Sequence, residues 1–146
     1  MVQNVAVTRP RFHLAFPVHD LEAARAFYVG VVGCAEGRSD ETWVDFDLYG
    51  HQIVAHLAPE TASVATFNVV DGDNVPVPHF GLLLEIPHWR ELADRLASAQ
   101  TPFVIEPGVR FEGAVGEQHT MFVLDPSGNA LEFKAYADDS QIFATG

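Results

Sequence analysis

The sequence predicts an α+β fold of two pseudo-symmetric modules, each a strand, a helix and three more strands, together forming a curved open mixed sheet around a cleft. Three observations predict it. Apolar and polar residues alternate through short segments in both halves, the two-residue period of a strand with one buried face. One segment in each half instead spaces its apolar residues by three, four and three, as an amphipathic helix does: Leu21, Ala24, Tyr28 and Val31, then Trp89, Leu92, Leu96 and Ala99. The halves also share a turn, Asp47-x-x-Gly50 and Asp125-x-x-Gly128, at the same point in their order of elements.

The first module is read over residues 11–58, after an irregular arm at 1–9. In 11–18, Phe12, Leu14, Phe16 and Val18 alternate with Arg11, His13, Ala15 and Pro17, which puts His13 on the side away from the large apolar residues. Asp20 suits a helix N-cap, because its carboxylate can accept from a backbone N–H that the first turn leaves unpaired. Gly30 and Gly33 end the helix, and a short strand follows over 34–38. In the strand over 43–48, Val44, Phe46 and Leu48 face the core and Asp45 and Asp47 face away. In 51–57, Ile53, Ala55 and Leu57 face the core, with Gln52, Val54 and His56 opposite.

Residues 59–77 carry small, polar and turn residues and read as a connecting loop. Its length points to a functional or partner-facing role. The second module, 78–136, repeats the order of the first. In 79–86, Phe80, Leu82, Leu84 and Ile86 share one face and His79, Gly81, Leu83 and Glu85 the other. After the helix come a strand over 103–106 and a glycine-containing loop over 108–118. The closing hairpin, 119–124 and 129–136, turns on Asp125-Pro126-Ser127-Gly128, where Pro sets φ and Gly accepts a positive φ. The tail, 137–146, is polar and reads as peripheral.

Composition narrows the function classes. With 146 residues the chain suits one domain, and 48% apolar content excludes disorder. No apolar run is long enough to span a bilayer, and no signal-peptide pattern opens the chain. A net charge of −12 argues against nucleic acid or an anionic membrane as partner, since both require clustered Lys and Arg. The single cysteine, Cys34, excludes an internal disulfide, makes a reducing cytoplasm the default, and reads as core rather than nucleophile.

Glu132 is the residue that demands chemistry. Flanked by Leu131 and Phe133, it sits mid-strand on the polar face, where a carboxylate must be solvated, paired or bound to a metal. Alternation puts His13, His79 and Glu132 all on the cleft face. Four residues past the glycine of each shared turn stand Val54 and Glu132, so the repeat supplies three donors and an open side. Taken singly, each histidine also suits a structural role and Glu132 a surface carboxylate. Two imidazoles and one carboxylate on matching faces of a repeat suit a divalent transition metal.

These residues carry a resemblance. The F-H-L-A-F-P-V start, the P-H-F-G-L-L-L strand and the D-P-S-G-N-A-L-E ending resemble the vicinal oxygen chelate superfamily of glyoxalase I, fosfomycin and bleomycin resistance proteins and extradiol dioxygenases. The stretches G-C-A-E-G-R-S, W-V-D-F-D-L-Y-G-H-Q and R-F-E-G…G-E-Q-H-T-M-F are similar to a bacterial branch of small extradiol-type dioxygenases. The resemblance implies that His13, His79 and Glu132 hold one divalent metal ion, Fe(II) first, with Mn(II), Zn(II) or Ni(II) as alternatives. It further implies a catechol-like vicinal diol and dioxygen as substrates, and a homodimer. His56 and His119 become candidate proton carriers. Gln52 and Lys134 become candidates for holding a substrate oxygen or carboxylate. Phe122 stands where ring-cleaving relatives commonly have a hydrogen-bonding Tyr. Two other functions compete. One is metal-assisted thiol transfer or isomerisation of the glyoxalase or fosfomycin-resistance type; Val54 at the fourth ligand position and the missing K-x-x-x-S-E-G run count against it. The other is non-catalytic small-molecule binding, against which the donor triad counts.

Overall fold

The computed structural model describes residues 9–58, 66–70 and 72–145; most of the N-terminal arm and the stretch 59–65 lie outside the described residues. In chain order the strands and helices are β1 (His13–Val18), α1 (Leu21–Phe27), β2 (Ala35–Asp40), β3 (Trp43–Leu48), β4 (His51–Leu57), β5 (Thr66–Val70), β6 (Asp73–Val77), β7 (His79–Leu83), α2 (Ile86–Ser98), β8 (Phe103–Arg110), β9 (Gln118–Leu124) and β10 (Ala130–Tyr136). Two four-stranded sheets result, ordered β1-β4-β3-β2 and β7-β10-β9-β8. In each, the first and last strands of the module pair in parallel and the remaining pairs are antiparallel. The repeat extends to register. Ala15 lies opposite Val54, and Gly81 opposite Glu132.

The helices follow from their caps and stripes, with one shift. The Asp20 carboxylate accepts from the Ala23 N–H at 2.9 Å and starts α1. The helix continues as a wider π turn over Tyr28–Val32, closed by Gly33 at φ 93. The extra residue in that turn moves burial from Val31, the expected stripe position, to Val32. Arg95 on α2 donates from Nε and Nη2 to the Val31 and Val32 carbonyls, both at 3.0 Å, and so satisfies the end of the turn. Along α2 the buried residues are Trp89, Leu92, Ala93 and Leu96, while Ala99 is the exposed C-cap.

One apolar core joins the modules, from Phe16, Tyr28 and Phe46 of the first to Trp89, Leu92 and Phe133 of the second. A buried polar knot pins them together. Tyr28 Oη donates to Asp125 Oδ2 at 2.8 Å, and Asn129 Nδ2 donates to the Pro17 carbonyl at 2.8 Å. Asp125 Oδ1 accepts from the Ser127 and Asn129 amides, so the shared turn doubles as a clamp between modules. Burial, then the Asp125 charge, pushes the Tyr28 phenol well above its ordinary pKa.

Two expectations are corrected here. The stretch read as a connecting loop holds an antiparallel hairpin, β5–β6, because Phe67, Val69, Val70, Val75 and Val77 supply strand residues around a turn at Gly72. Strand β8 runs on to Arg110 through two register shifts, so the glycine-containing loop begins later than 108. Among the described residues the modules keep two distinct ladders, with β1 and β7 each at the end of its sheet. They approach through core side chains, with the Phe16 and Phe80 ring centroids 5.2 Å apart, rather than through a shared ladder. Between them lies a cavity of about 510 Å³, lined on one side by Ile142 and Phe143 of the tail.

Candidate metal centre

Glu132 sits in β10 with Phe122 of β9 and Gly81 of β7 as its register partners. Its side chain is only 10% exposed, so its charge needs partners. Oε2 accepts from Thr120 Oγ1 at 3.1 Å. Oε1 has two neighbours, Lys134 Nζ at 3.3 Å and His79 Nε2 at 3.7 Å. These side chains border a small cavity of about 180 Å³ lined by His79, Gly81, Leu82, Leu83, Glu132 and Lys134.

The histidines are held alike. His79 Nδ1 lies 2.6 Å from the Pro76 carbonyl of β6. A carbonyl can only accept, so Nδ1 donates to it, and Nε2 is the ring nitrogen that faces Glu132. The Phe122 ring supports the imidazole edge-to-face, with centroids 4.8 Å apart. In the first module, His13 Nδ1 lies 2.8 Å from Gln52 Oε1. Gln52 Nε2 in turn donates to Asp45 Oδ2 at 3.2 Å, a bond that a flipped amide would lose. His13 Nδ1 is thereby the donor to Gln52, as His79 Nδ1 is to Pro76.

The structure brings two of the three expected donors together, His79 and Glu132. His13 stands on the exposed start of the first sheet's edge strand, with Gln52 as its partner. Among the described residues no group of three His, Cys, Asp or Glu side chains is placed to hold an ion. A single chain therefore presents a two-donor half-site and a separate, pre-oriented imidazole. The donor set, two imidazoles and one carboxylate, fits a divalent metal in chemistry.

The other expected site residues divide. Lys134 is at the half-site. His56 is exposed on β4, on the same face as Gln52 and Val54. Gln52 is engaged at both ends of its amide, which makes it an orienter of His13. Two expectations are corrected. His119 points from β9 toward α2, its ring 5.1 Å from the Trp89 ring, because it alternates onto the face opposite Glu132. That face cannot deliver a proton to the cleft. Phe122 is on the Glu132 face but only 1% exposed, so it buttresses His79 and offers no surface to a substrate.

Three contributors were not singled out from sequence: Gly81, Thr120 and the Pro76 carbonyl. A Cβ on Gly81 would lie 1.6 Å from the Glu132 carbonyl oxygen, so only glycine lets β7 approach β10 this closely. A glycine inside an alternating strand was its available signal. Thr120 is two residues from Phe122 and was reachable by alternation. The Pro76 carbonyl was not, since it depends on the hairpin.

Comparison with known proteins places this geometry. The family profile of the Glyoxalase/Bleomycin resistance protein/Dioxygenase superfamily matches residues 12–133. The structure of a glyoxalase/bleomycin resistance protein/dioxygenase from Alicyclobacillus acidocaldarius is 35% identical, with 92% of this chain and 96% of that chain covered and a TM-score of 0.75. A genomically encoded fosfomycin resistance protein from Listeria monocytogenes shares the fold at 16% identity, covering 92% and 98%, with a TM-score of 0.69. So does a lactoylglutathione lyase from Agrobacterium tumefaciens, at 21% identity, 88% and 95% coverage and a TM-score of 0.62. A search of curated proteins found no match.

Proposed function

Because the chain belongs to the glyoxalase/bleomycin resistance protein/dioxygenase superfamily, we propose that it is a metal-dependent dioxygenase of extradiol type acting on a small catechol-like vicinal diol. The observation that carries the reading is the paired anchoring of two imidazoles. His13 and His79 each have Nδ1 engaged by a carbonyl oxygen, which leaves Nε2 as the nitrogen available to a metal, and His79 Nε2 faces a shielded carboxylate.

On this reading His79 and Glu132 hold the ion from one chain and His13 reaches it from a second copy, making the active form a homodimer. Fe(II) is the first choice of ion, with Mn(II), Zn(II) and Ni(II) as competitors. When bound, such an ion supplies a binding point for the two diol oxygens and for dioxygen. The chain's own residues do the rest. Thr120 fixes one oxygen of Glu132, and Pro76 fixes the tautomer of His79. Phe122 keeps water from the inner side of that ring. His56, exposed on the first sheet's matching face, is the remaining candidate for carrying a proton. The reading places the enzyme in the cytoplasm; among the described residues no helix is long and apolar enough to cross a membrane.

The test is metal content followed by oxygen uptake. Protein purified without chelator should hold about one divalent ion per chain, and Glu132→Ala should lose it while keeping its melting temperature. Anaerobic Fe(II) loading and addition of a catechol panel should then produce oxygen uptake. Metal binding without oxygen uptake, but with thiol addition to an electrophile, would transfer the protein to the thiol-transferase class. Metal-free protein with full ligand affinity would make it a binder.

A further inference from the structure

The chain has one lysine, and it stands at the half-site. All seven other basic residues are arginines, whereas Lys134 lies two positions beyond Glu132 on the same face of β10. Its Nζ is 3.3 Å from Glu132 Oε1, the same oxygen that His79 Nε2 faces at 3.7 Å. The ammonium thus balances the carboxylate on the side where His79 would share an ion with it. Lys134 is also one of the cavity-lining residues and keeps 33% of its side chain exposed, so its head can move into the cavity.

Charge governs the response of Lys134 to a filled half-site. A divalent cation held by His79 and Glu132 would draw on the carboxylate and repel the ammonium. The ammonium, on a flexible four-carbon stem with three donors, would remain beside the ion without its partner. Because the chain's net charge of −12 repels anions in general, an anionic ligand needs local positive charge to bind. The ion and Lys134 together supply it.

Resting on the metal-dependent reading above, we infer that Lys134 selects a diol that bears a further anionic group, such as a ring carboxylate. The chelating oxygens go to the ion, and the carboxylate takes up the ammonium that the ion has displaced. In metal-free protein Lys134 is spoken for by Glu132, so the preference for an anionic diol requires the ion.

Equilibrium binding tests this, using a matched pair of probes: a vicinal dihydroxybenzoate and its neutral dihydroxybenzamide. Calorimetry on wild-type protein loaded anaerobically with Fe(II) should find the carboxylate bound about tenfold more tightly than the amide. Lys134→Met should retain the metal and bind both probes alike, and Lys134→Arg should keep most of the preference. Equal binding by the loaded wild type, or a preference that survives in Lys134→Met, overturns the inference and leaves the metal reading standing. Wild-type protein that takes up no metal and no diol overturns the metal reading, and this inference with it.

Discussion

Glu132 and Cys34 are both enclosed ionisable residues, and their surroundings treat them oppositely. Glu132 is given polar partners: the Thr120 hydroxyl, the Lys134 ammonium and the His79 imidazole. Cys34 is given apolar neighbours, and burial, then the Asp47 charge, pushes its thiol up to about 12. A thiol so held is no nucleophile, in agreement with its reading as core. The raised value also has a sign for stability. From the ordinary 9.0 up to about 12 the unfolded chain releases a proton that the folded chain keeps, so stability is complete below that window and falls as pH rises through it. The Tyr28 phenol, also raised, adds to the loss on the alkaline side. Denaturant melts in steps from neutral to alkaline pH should therefore decline with a steeper slope in wild type than in Cys34→Ala. Parallel slopes would mean the thiol is already accessible to water in the folded protein.

Among the elements, the β5–β6 hairpin does most to make the site and is the least visible in the sequence. Its Pro76 carbonyl holds His79, and its Asp73 Oδ2 receives Arg110 Nη2 at 2.7 Å from the end of β8. The half-site imidazole is therefore positioned through a clasp between two segments remote from each other in sequence. Asp73 is half exposed, so the ion pair itself contributes little to stability, about 0–1 kcal/mol. Its role is positional. Asp73→Asn should weaken metal binding roughly three- to tenfold, by loosening the support of a ligand, while the melting temperature barely moves. Unchanged metal affinity would show that β6 keeps its place without the clasp. The same hairpin exposes Phe67 by 51% and Val69 by 76%, an apolar surface that turn-residue counting assigns to a polar loop.

For the whole molecule, the question is how far one chain completes the site. Two sheets share a single core, yet among the described residues β1 and β7 each end their sheet with an unpaired edge. His13 begins one of those edges and His79 the other. An association of two copies with two-fold symmetry would set the edges against each other twice and form two equivalent centres. Complementation tests this directly. His13→Ala and Glu132→Ala each lack one donor, and a refolded mixture should recover part of the metal-binding capacity, because mixed dimers contain one intact donor set. No recovery, in a mixture shown to exchange subunits, would place all three donors within one chain.

The α+β architecture, the duplicated module order, the Asp20 cap and the face carrying His79 and Glu132 were all legible in the chain itself, because periodicity and turn chemistry are local properties that neighbours in sequence impose. Alternation also put Lys134 on the face of Glu132, whereas the face of His119 relative to Glu132 followed only from the β9–β10 register. Which faces meet was a different matter. The π turn that moved burial to Val32, the hairpin that grips His79, the burial that turned Phe122 into a buttress and the separation of His13 from its expected companions all arise from contacts between residues far apart in sequence. Such contacts are chosen by the packing of complete elements, and only the folded molecule decides them.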